Sequence, residues 1–320
     1  MGQPLVSVIC LCYNHEPFVR EAIQSVIDQS YSNMQIIVVD DASTDNSVHV
    51  IRDVIAPHPK VKFLQLQKNH GNCAAFNKGL ALAAGEFIVD MATDDIMLPD
   101  RIQKQVDFFS NYTSEYGVNF TDAVYVDATG TPFRNHFEYL FDKRLIKSIP
   151  QGDVYRDVLT MYFISSPTMM IRKTVLDALR GYDENLAYED FDFWVRSSRT
   201  FKYCFLNERL TYVRRNISSM SSGWYVPGDK QLHSTYLVCQ KAMKLNRSAE
   251  DEKALIKRVR YELRQAVFSE NLHEAELFFR LLAQLKCVRV IDRTLLMLSK
   301  TRIPLSKLRK KYHQLRFGKS

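Results

Sequence analysis

The sequence predicts an α/β protein: a Rossmann-like, mainly parallel sheet flanked by helices, followed by an α-helical extension. Short β-branched apolar runs recur through the first third of the chain, and helix-spaced apolar positions separate each from the next. Such alternation builds right-handed crossover units and a parallel sheet. Acidic residues stand where these runs end, and ligands of parallel sheets bind beyond the carboxyl ends of the strands.

The first strand is "LVSVICL" (5–11), a continuous apolar run that suits a buried parallel strand. In "YNHEPFVREAIQSVIDQSY", Pro17 fits a first helical turn, and Val19, Ile23, Val26 and Ile27 share one helical face. "MQIIVVDD" (34–41) is the second strand. In "ASTDNSVHVIRDVIAPHP", Ser43 or Thr44 is the expected cap and the helix must end before Pro57. "VKFLQL" (61–66) is the third strand, "NCAAFNKGLALAAG" an Ala-rich helix closed by Gly85, and "EFIVDM" (86–91) the fourth strand. Further on, "RIQKQVDFF" reads as helix, "VNFTDAVYVD" as strand, "ATGT" as a turn, and the chain to about residue 163 as loops. "SPTMMIRKTVLDALRGYDENLAYEDFDFWVRSSR" predicts strand, helix, glycine turn and helix; "KYCFL" and "LTYVRR" read as two strands. From about Gly228 the chain is helical and heavily charged.

A chain of 320 residues allows one large α/β domain with an extension, or two modest domains. With 46% hydrophobic and 25% charged residues, it has a soluble globular composition. A net charge of +7 permits contact with nucleotides, nucleic acid or an acidic membrane and does not choose among them. The start "MGQPLVSVICLCYN" lacks secretory and myristoylation signals, and no uncharged apolar run is long enough for a bilayer. The expectation is a cytoplasmic protein, with peripheral contact at the inner face of the membrane left open. Cys10, Cys12, Cys73, Cys204, Cys239 and Cys287 are scattered and read as reduced, packed thiols, with a zinc site the weaker alternative.

Asp40 and Asp41 close the second strand, and Asp94 and Asp95 follow the fourth in "MATDDIMLPD". Adjacent anions near an interior are poorly screened, so positive charge should join them. "CYNHEPF" contains no glycine, against a dinucleotide-binding turn, and no P-loop is present. Acidic strand ends suit Mg²⁺ or Mn²⁺ bridging carboxylates to a diphosphate.

Five segments, in order, then resemble family 2 glycosyltransferases of GT-A-type fold. They are "VSVICLCYN", "IIVVDDASTDNS", "NHGNCAAFNKGLALAAGEFI", "ATDDIMLPDRI" and "GYDENLAYEDFDFWVR", and the likeness covers roughly residues 4–216. It implies an inverting, metal-dependent hexosyltransferase using a nucleotide-sugar, by default a UDP-sugar, and a glycan or polyprenyl-linked acceptor in cell-surface polysaccharide synthesis. It implies that Asp41 bonds the nucleobase, Asp40 shapes the turn, and the backbone near Leu11 and Tyr13 flanks the base. Asp94 would contact the ribose or assist the metal, Asp95 would ligate Mn²⁺ or Mg²⁺, and Asp190 would be the general base with Glu189 beside it. Arg214 and Arg215 stand where the family often reaches the diphosphate. The sequence departs from the family pattern at Leu11, Cys12, Phe76 and Asn216, where relatives often carry Pro, Thr, Arg and His.

Plainer readings stand beside these. Asp40 and Asp41 could cap a helix, Asp94 and Asp95 likewise, Glu189 and Asp190 could complement a helix dipole, and Arg214 could face solvent. The expected division is 1–222, with a nucleotide-binding part to residue 100 and an acceptor part beyond it, and a helical, basic 223–320. The tail "KTRIPLSKLRKKYHQLRFGKS" reads either as a solvated basic segment or as an interfacial helix on anionic lipid. The rivals are a sugar nucleotidyltransferase, which wants a glycine-rich phosphate loop, and a non-catalytic nucleotide or nucleic-acid binder. The latter leaves the paired acids unexplained, so no nucleic-acid partner is expected.

Overall fold

The computed structural model describes residues 2–215, 225–301 and 305–306. The chain divides into two compact units, Met1–Val154 with Phe163–Ser219, and Tyr155–Tyr162 with Met220–Ser320. The expected boundary at 222/223 lies outside the described residues, as do Asn216 and the basic positions Arg302, Lys307, Arg309, Lys310, Lys311, Arg316 and Lys319.

In the first unit, β1 (Val6–Cys12), β2 (Met34–Asp40), β3 (Lys62–Gln65) and β4 (Phe87–Ala92) run parallel in the order β3-β2-β1-β4. Leu11 lies opposite both Val39 and Ala92, and Cys12 opposite Asp40. The carboxyl ends of these three strands therefore finish level, which sets their loops side by side. Beyond β4 the sheet becomes mixed. β8 (Met170–Arg172) is antiparallel to β4 and to β6 (Tyr116–Val126), and β7 (Pro132–Asn135) is antiparallel to β6. β9 (Lys202–Arg214) runs parallel to β6, and the short β5 (Ile96–Met97) antiparallel to β9.

Three sequence expectations change here. "KYCFL" and "LTYVRR" belong to one 13-residue strand. Its polar middle, Asn207–Arg209, is exposed where the β6–β9 register slips, a bulge rather than a turn. The stretch expected as loops holds β7, α5 (His136–Asp142) and α6 (Tyr155–Thr160). Finally, α2 (Ser47–Ile55) starts after Asn46 without a side-chain cap, because Ser43 turns back to Asp40 instead.

α1 (Val19–Ile27), α2 and α4 (Arg101–Phe109) cover one face of the sheet. Val19, Ile23, Val26, Ile51, Ile102 and Phe109 pack with Val8, Cys10, Val38, Val89 and Met91 in one buried cluster. Each such side chain contributes about 1.5–3 kcal/mol by leaving water. α3 (Asn72–Leu80) stops before Gly85 and lies close on the sheet at Gly79, where a Cβ would stand 2.6 Å from Ile9 Cγ2.

The second unit is helical. It gathers α6 with α9 (Lys230–Leu245), α10 (Ala249–Phe268), α11 (Leu272–Gln284) and α12 (Val290–Ser299). Ser248 caps α10, its hydroxyl accepting the Asp251 N–H at 3.1 Å, and Glu250, Asp251 and Glu252 suit the positive end of the helix dipole. Leu255, Val259, Leu263 and Ala266 form its buried stripe. Arg258 pairs with Glu262 at 3.0 Å in the interior and donates from Nε to Leu159 O, joining α10 to α6. Among the described residues, no helix is long and apolar enough to cross a membrane. All six cysteines are free and five are buried.

Candidate active site

The loops after β1 and β2 are interlocked. Asn14 and Ala42 both take the left-handed backbone conformation, at φ 58 and 61. That costs a non-glycine residue about 1–2 kcal/mol, least for Asn. Five hydrogen bonds offset it. The Asn14 N–H donates to Ser43 Oγ (2.9 Å), Thr44 N–H to Asn14 Oδ1 (2.7 Å) and His15 N–H to Ser47 Oγ (3.0 Å). Glu16 N–H donates to Asp45 Oδ2 (3.0 Å), and Asn46 N–H to Glu16 Oε2 (3.1 Å). Asp40 is fully buried and accepts from the Ser43 N–H at 3.0 Å and its hydroxyl. The Asp41 carboxylate accepts the His70 and Gly71 N–H groups, each at 2.8 Å, which fixes the entry to α3. Both acids thus hold turns, and an ionised carboxylate keeps further acceptor sites. Tyr13 is 44% exposed at the rim, while Leu11 is buried and its carbonyl takes the Thr93 N–H at 2.9 Å.

Asp94 and Asp95 form the turn between β4 and β5. Asp95 is 3% exposed and its Oδ1 accepts the Arg214 N–H at 2.9 Å. Burial, and then the Asp94 charge, push its carboxyl well above the usual range; Arg214 N–H, Arg215 and Arg101 pull it back. Part of the positive charge that the sequence demanded is therefore the protein's own. Arg101 is wholly buried, bonded to Gln105 Oε1 (2.9 Å) and Met169 O (3.2 Å), and burial brings it down to about 9. Its Nη1 has no hydrogen-bond partner. These acids do not complete a cation cage. Among the described residues, only His233, His273 and Glu274 of the second unit form a cluster of three ligand atoms. Two adjacent carboxylates with water and substrate oxygens for the remaining positions do fit Mg²⁺ or Mn²⁺.

Arg214 departs from expectation. It is 3% exposed. Nε donates to Asp94 O, Nη1 to Asp127 O and Ala128 O, each at 3.0 Å, and Nη2 to Glu21 Oε2 at 2.9 Å. Its ring partner is Phe18, 4.6 Å away. It holds the Asp94–Asp95 turn, with four of its five guanidinium N–H groups given to the protein. Arg215, half-buried over the Tyr125 ring at 4.6 Å, is the arginine whose charge reaches both Asp95 and Asp190.

Asp190 opens α8 (Asp190–Ser197), with Glu189 at the cap position. Burial pushes the Asp190 carboxyl up, while Ser166, Glu189 and Arg215 draw it down. Its Oδ1 is buried without a hydrogen-bond partner. Burial raises Glu189 further, and the charges of Asp190 and Asp90 add to that; Asn72 Nδ2 holds its Oε2 at 2.6 Å. Asp90, unremarked inside a strand run in the sequence, is the third member. Burial and the Asp190 charge push it to about 7, against the Tyr182 hydroxyl that donates to it at 3.1 Å. The turn that carries Tyr182 is pinned by Asn77, which donates to Tyr182 O and Glu184 Oε1, both 2.9 Å. Gly181 has φ +76 there, and a Cβ would stand 2.3 Å from Asn77 Oδ1. Phe76, at the position where relatives often carry Arg, is buried and stacked on Tyr182 at 4.1 Å.

Comparison with known proteins agrees with this architecture. The model of "Glycosyl transferase family 2" matches residues 7–180, more than half the chain, and the protein belongs to that family. An uncharacterised glycosyltransferase of Methanocaldococcus jannaschii is 29% identical over 218 residues, 67% of this chain and 72% of its own. The assigned glycosyltransferase EpsE of Bacillus subtilis is 30% identical over 218 residues, covering 67% of this chain and 74% of its own. In fold, the chain is similar to residues 1–349 of S. aureus TarS in complex with UDP-GlcNAc, with a TM-score of 0.64 at 18% identity over 98% of this chain and 92% of that one. A second solved neighbour is mannosyltransferase PcManGT from Pyrobaculum calidifontis with GDP-Man and Mn²⁺, with a TM-score of 0.62 at 14% identity over 98% and 81% of the chains. The expected GT-A-type fold is therefore the one observed.

Proposed function

We propose that this family 2 glycosyltransferase is an inverting, metal-dependent hexosyltransferase. It would move a sugar from a UDP-sugar to a hydroxyl of a glycan or polyprenyl-linked acceptor in cell-surface polysaccharide synthesis. One observation carries the reading: Asp41 accepts the Gly71 N–H at 2.8 Å and the next residue, Asn72, donates to Glu189 at 2.6 Å, which brings the acidic end of β2 beside the start of α8. The relative TuaG of Bacillus subtilis, assigned to teichuronic acid biosynthesis and 30% identical over 169 residues, supports the pathway class.

In this reading Tyr13 and the Leu11 backbone flank the base, Asp41 accepts its N–H, and Asp40 keeps the turn. Asp94 faces the ribose. A divalent cation held by Asp95, when bound, offsets the charge on the departing diphosphate. Arg215, next to Arg214, takes the diphosphate contact. Asp190 accepts the proton of the acceptor hydroxyl as its oxygen attacks the anomeric carbon, opposite the leaving group. The new glycosidic bond forms as the bond to the diphosphate breaks, and Asp190 ends protonated. Burial has already made this carboxyl a stronger base, and Glu189 holds its position beside it.

Thermal shift with UDP, GDP, dTDP and CDP, with and without Mn²⁺, tests this. UDP at a hundred times its Kd should stabilise by about 2.7 kcal/mol, in a metal-dependent way. Stabilisation by GDP instead would overturn the UDP assignment, and none by any of the four would overturn the donor reading.

A further inference from the structure

The second unit carries a groove of about 600 Å³ lined by Lys253, Ile256, Lys257, Arg260, Arg264, Cys287 and Arg289. Four of its cations recur on α10 at helical spacing, so they form one stripe opposite the buried Leu255–Val259–Leu263 face. Like charges so placed repel along a helix. The carboxylates in reach do not balance them. Asp292 takes the Arg260 Nε at 3.3 Å and the Arg289 N–H at 2.9 Å, Glu250 lies 3.9 Å from Lys253, and Glu252 lies near Cys287. Lys257 and Arg264 are exposed and have no ion-pair partner among the described residues.

Next to Arg289, α12 begins with Val290, 81% exposed, and Ile291, 63% exposed; Met297 further along is 70% exposed. A soluble phosphate would use the groove alone and would leave these aliphatic side chains without a purpose. A lipid surface uses both, because cations take headgroup phosphates while apolar tips enter the acyl boundary.

We propose that this groove docks the phosphate headgroups of an anionic membrane, with Val290 and Ile291 entering the interface beside it. The assignment does not depend on the sugar-transfer reading, which concerns the other unit. It also differs from a membrane contact through the basic C-terminal tail.

The test is sedimentation of the full chain with phosphatidylcholine vesicles, with and without phosphatidylglycerol. Wild type should pellet only with the anionic vesicles. Lys257→Gln with Arg264→Gln should weaken partitioning about thirtyfold, from two surface charges removed. Val290→Ser with Ile291→Ser should weaken it too, while UDP-induced thermal shifts stay unchanged in both. Groove variants that pellet like wild type, with Lys310→Gln and Lys311→Gln abolishing binding, would assign the membrane to the tail and overturn the proposal. Stabilisation by inorganic pyrophosphate without any preference for anionic vesicles would make the groove a soluble-anion site and equally overturn it.

Discussion

The two units carry opposite charge imbalances. At the carboxyl ends of β2 and β4 and the start of α8, Asp41, Asp90, Asp94, Asp95, Glu189 and Asp190 gather, and Arg101 and Arg215 only partly offset them. In the groove of the second unit, Lys253, Lys257, Arg260, Arg264 and Arg289 gather against Asp292, Glu250 and Glu252. In the first unit, desolvation pushes the Asp90, Asp95, Glu189 and Asp190 carboxyls up; the groove cations of the second are mostly exposed. Burial is what converts an imbalance into chemistry, since desolvation tunes a base or prepares a metal ligand. Exposed imbalance suits a large, charged surface.

The largest effect should break the first half of this contrast. Asp190→Asn is expected to lower kcat by about 10²–10⁴-fold, with the UDP-induced thermal shift retained. Next, Asp95→Ala should abolish the Mn²⁺-dependent part of the stabilisation by UDP, up to about 2.7 kcal/mol at saturating nucleotide. Gly181→Ala should cost about 1–3 kcal/mol in denaturant unfolding, because its φ is strained for any other residue and Asn77 must move.

Acid–base variants sharpen the contrast. The base works deprotonated, so the rate should rise with pH through the raised range of the Glu189–Asp190 pair. Arg215→Gln removes a cation that draws Asp190 down and should shift this limb to higher pH; Asp90→Asn removes an anion that holds Glu189 up and should lower the Glu189 member of the pair. Asp90 also has a stability signature. Its folded carboxyl lies at about 7 against roughly 3.9 unfolded, so the folded state holds the extra proton in between. Its contribution is full below about pH 4 and is lost as pH rises to about 7, and Asp90→Asn should flatten that slope in urea melts. The smallest effect belongs to the second unit: Lys257→Gln with Arg264→Gln should change the unfolding free energy in urea melts by no more than about 0.5 kcal/mol per site.

The parallel half of the sheet was legible because each strand is a short β-branched run and each helix keeps its apolar spacing. The acidic strand ends and the pair at α8 were legible as motifs. What escaped depended on distant partners. β9 looked like two strands because its exposed polar middle resembles a turn. Nothing local to Arg214 shows that it donates to Asp94, Asp127, Ala128 and Glu21. Asp90 was invisible inside an apolar run until Tyr182 and Asp190 were placed beside it. The basic groove needs Arg289, well beyond α10 in sequence, to become a groove at all.

The interlocked loops at residues 13–16 and 43–47 mean that neither can be redesigned alone. Each supplies side chains that satisfy the other's backbone, so changing Asn14 strands Thr44, and changing Asp45 strands Glu16. The shape of the rim is set jointly by two segments distant in the chain. A graft of "YNHE" onto another scaffold should misfold locally, whereas grafting it together with "STDNS" should carry the rim intact. In that sense the two loops are one heritable unit.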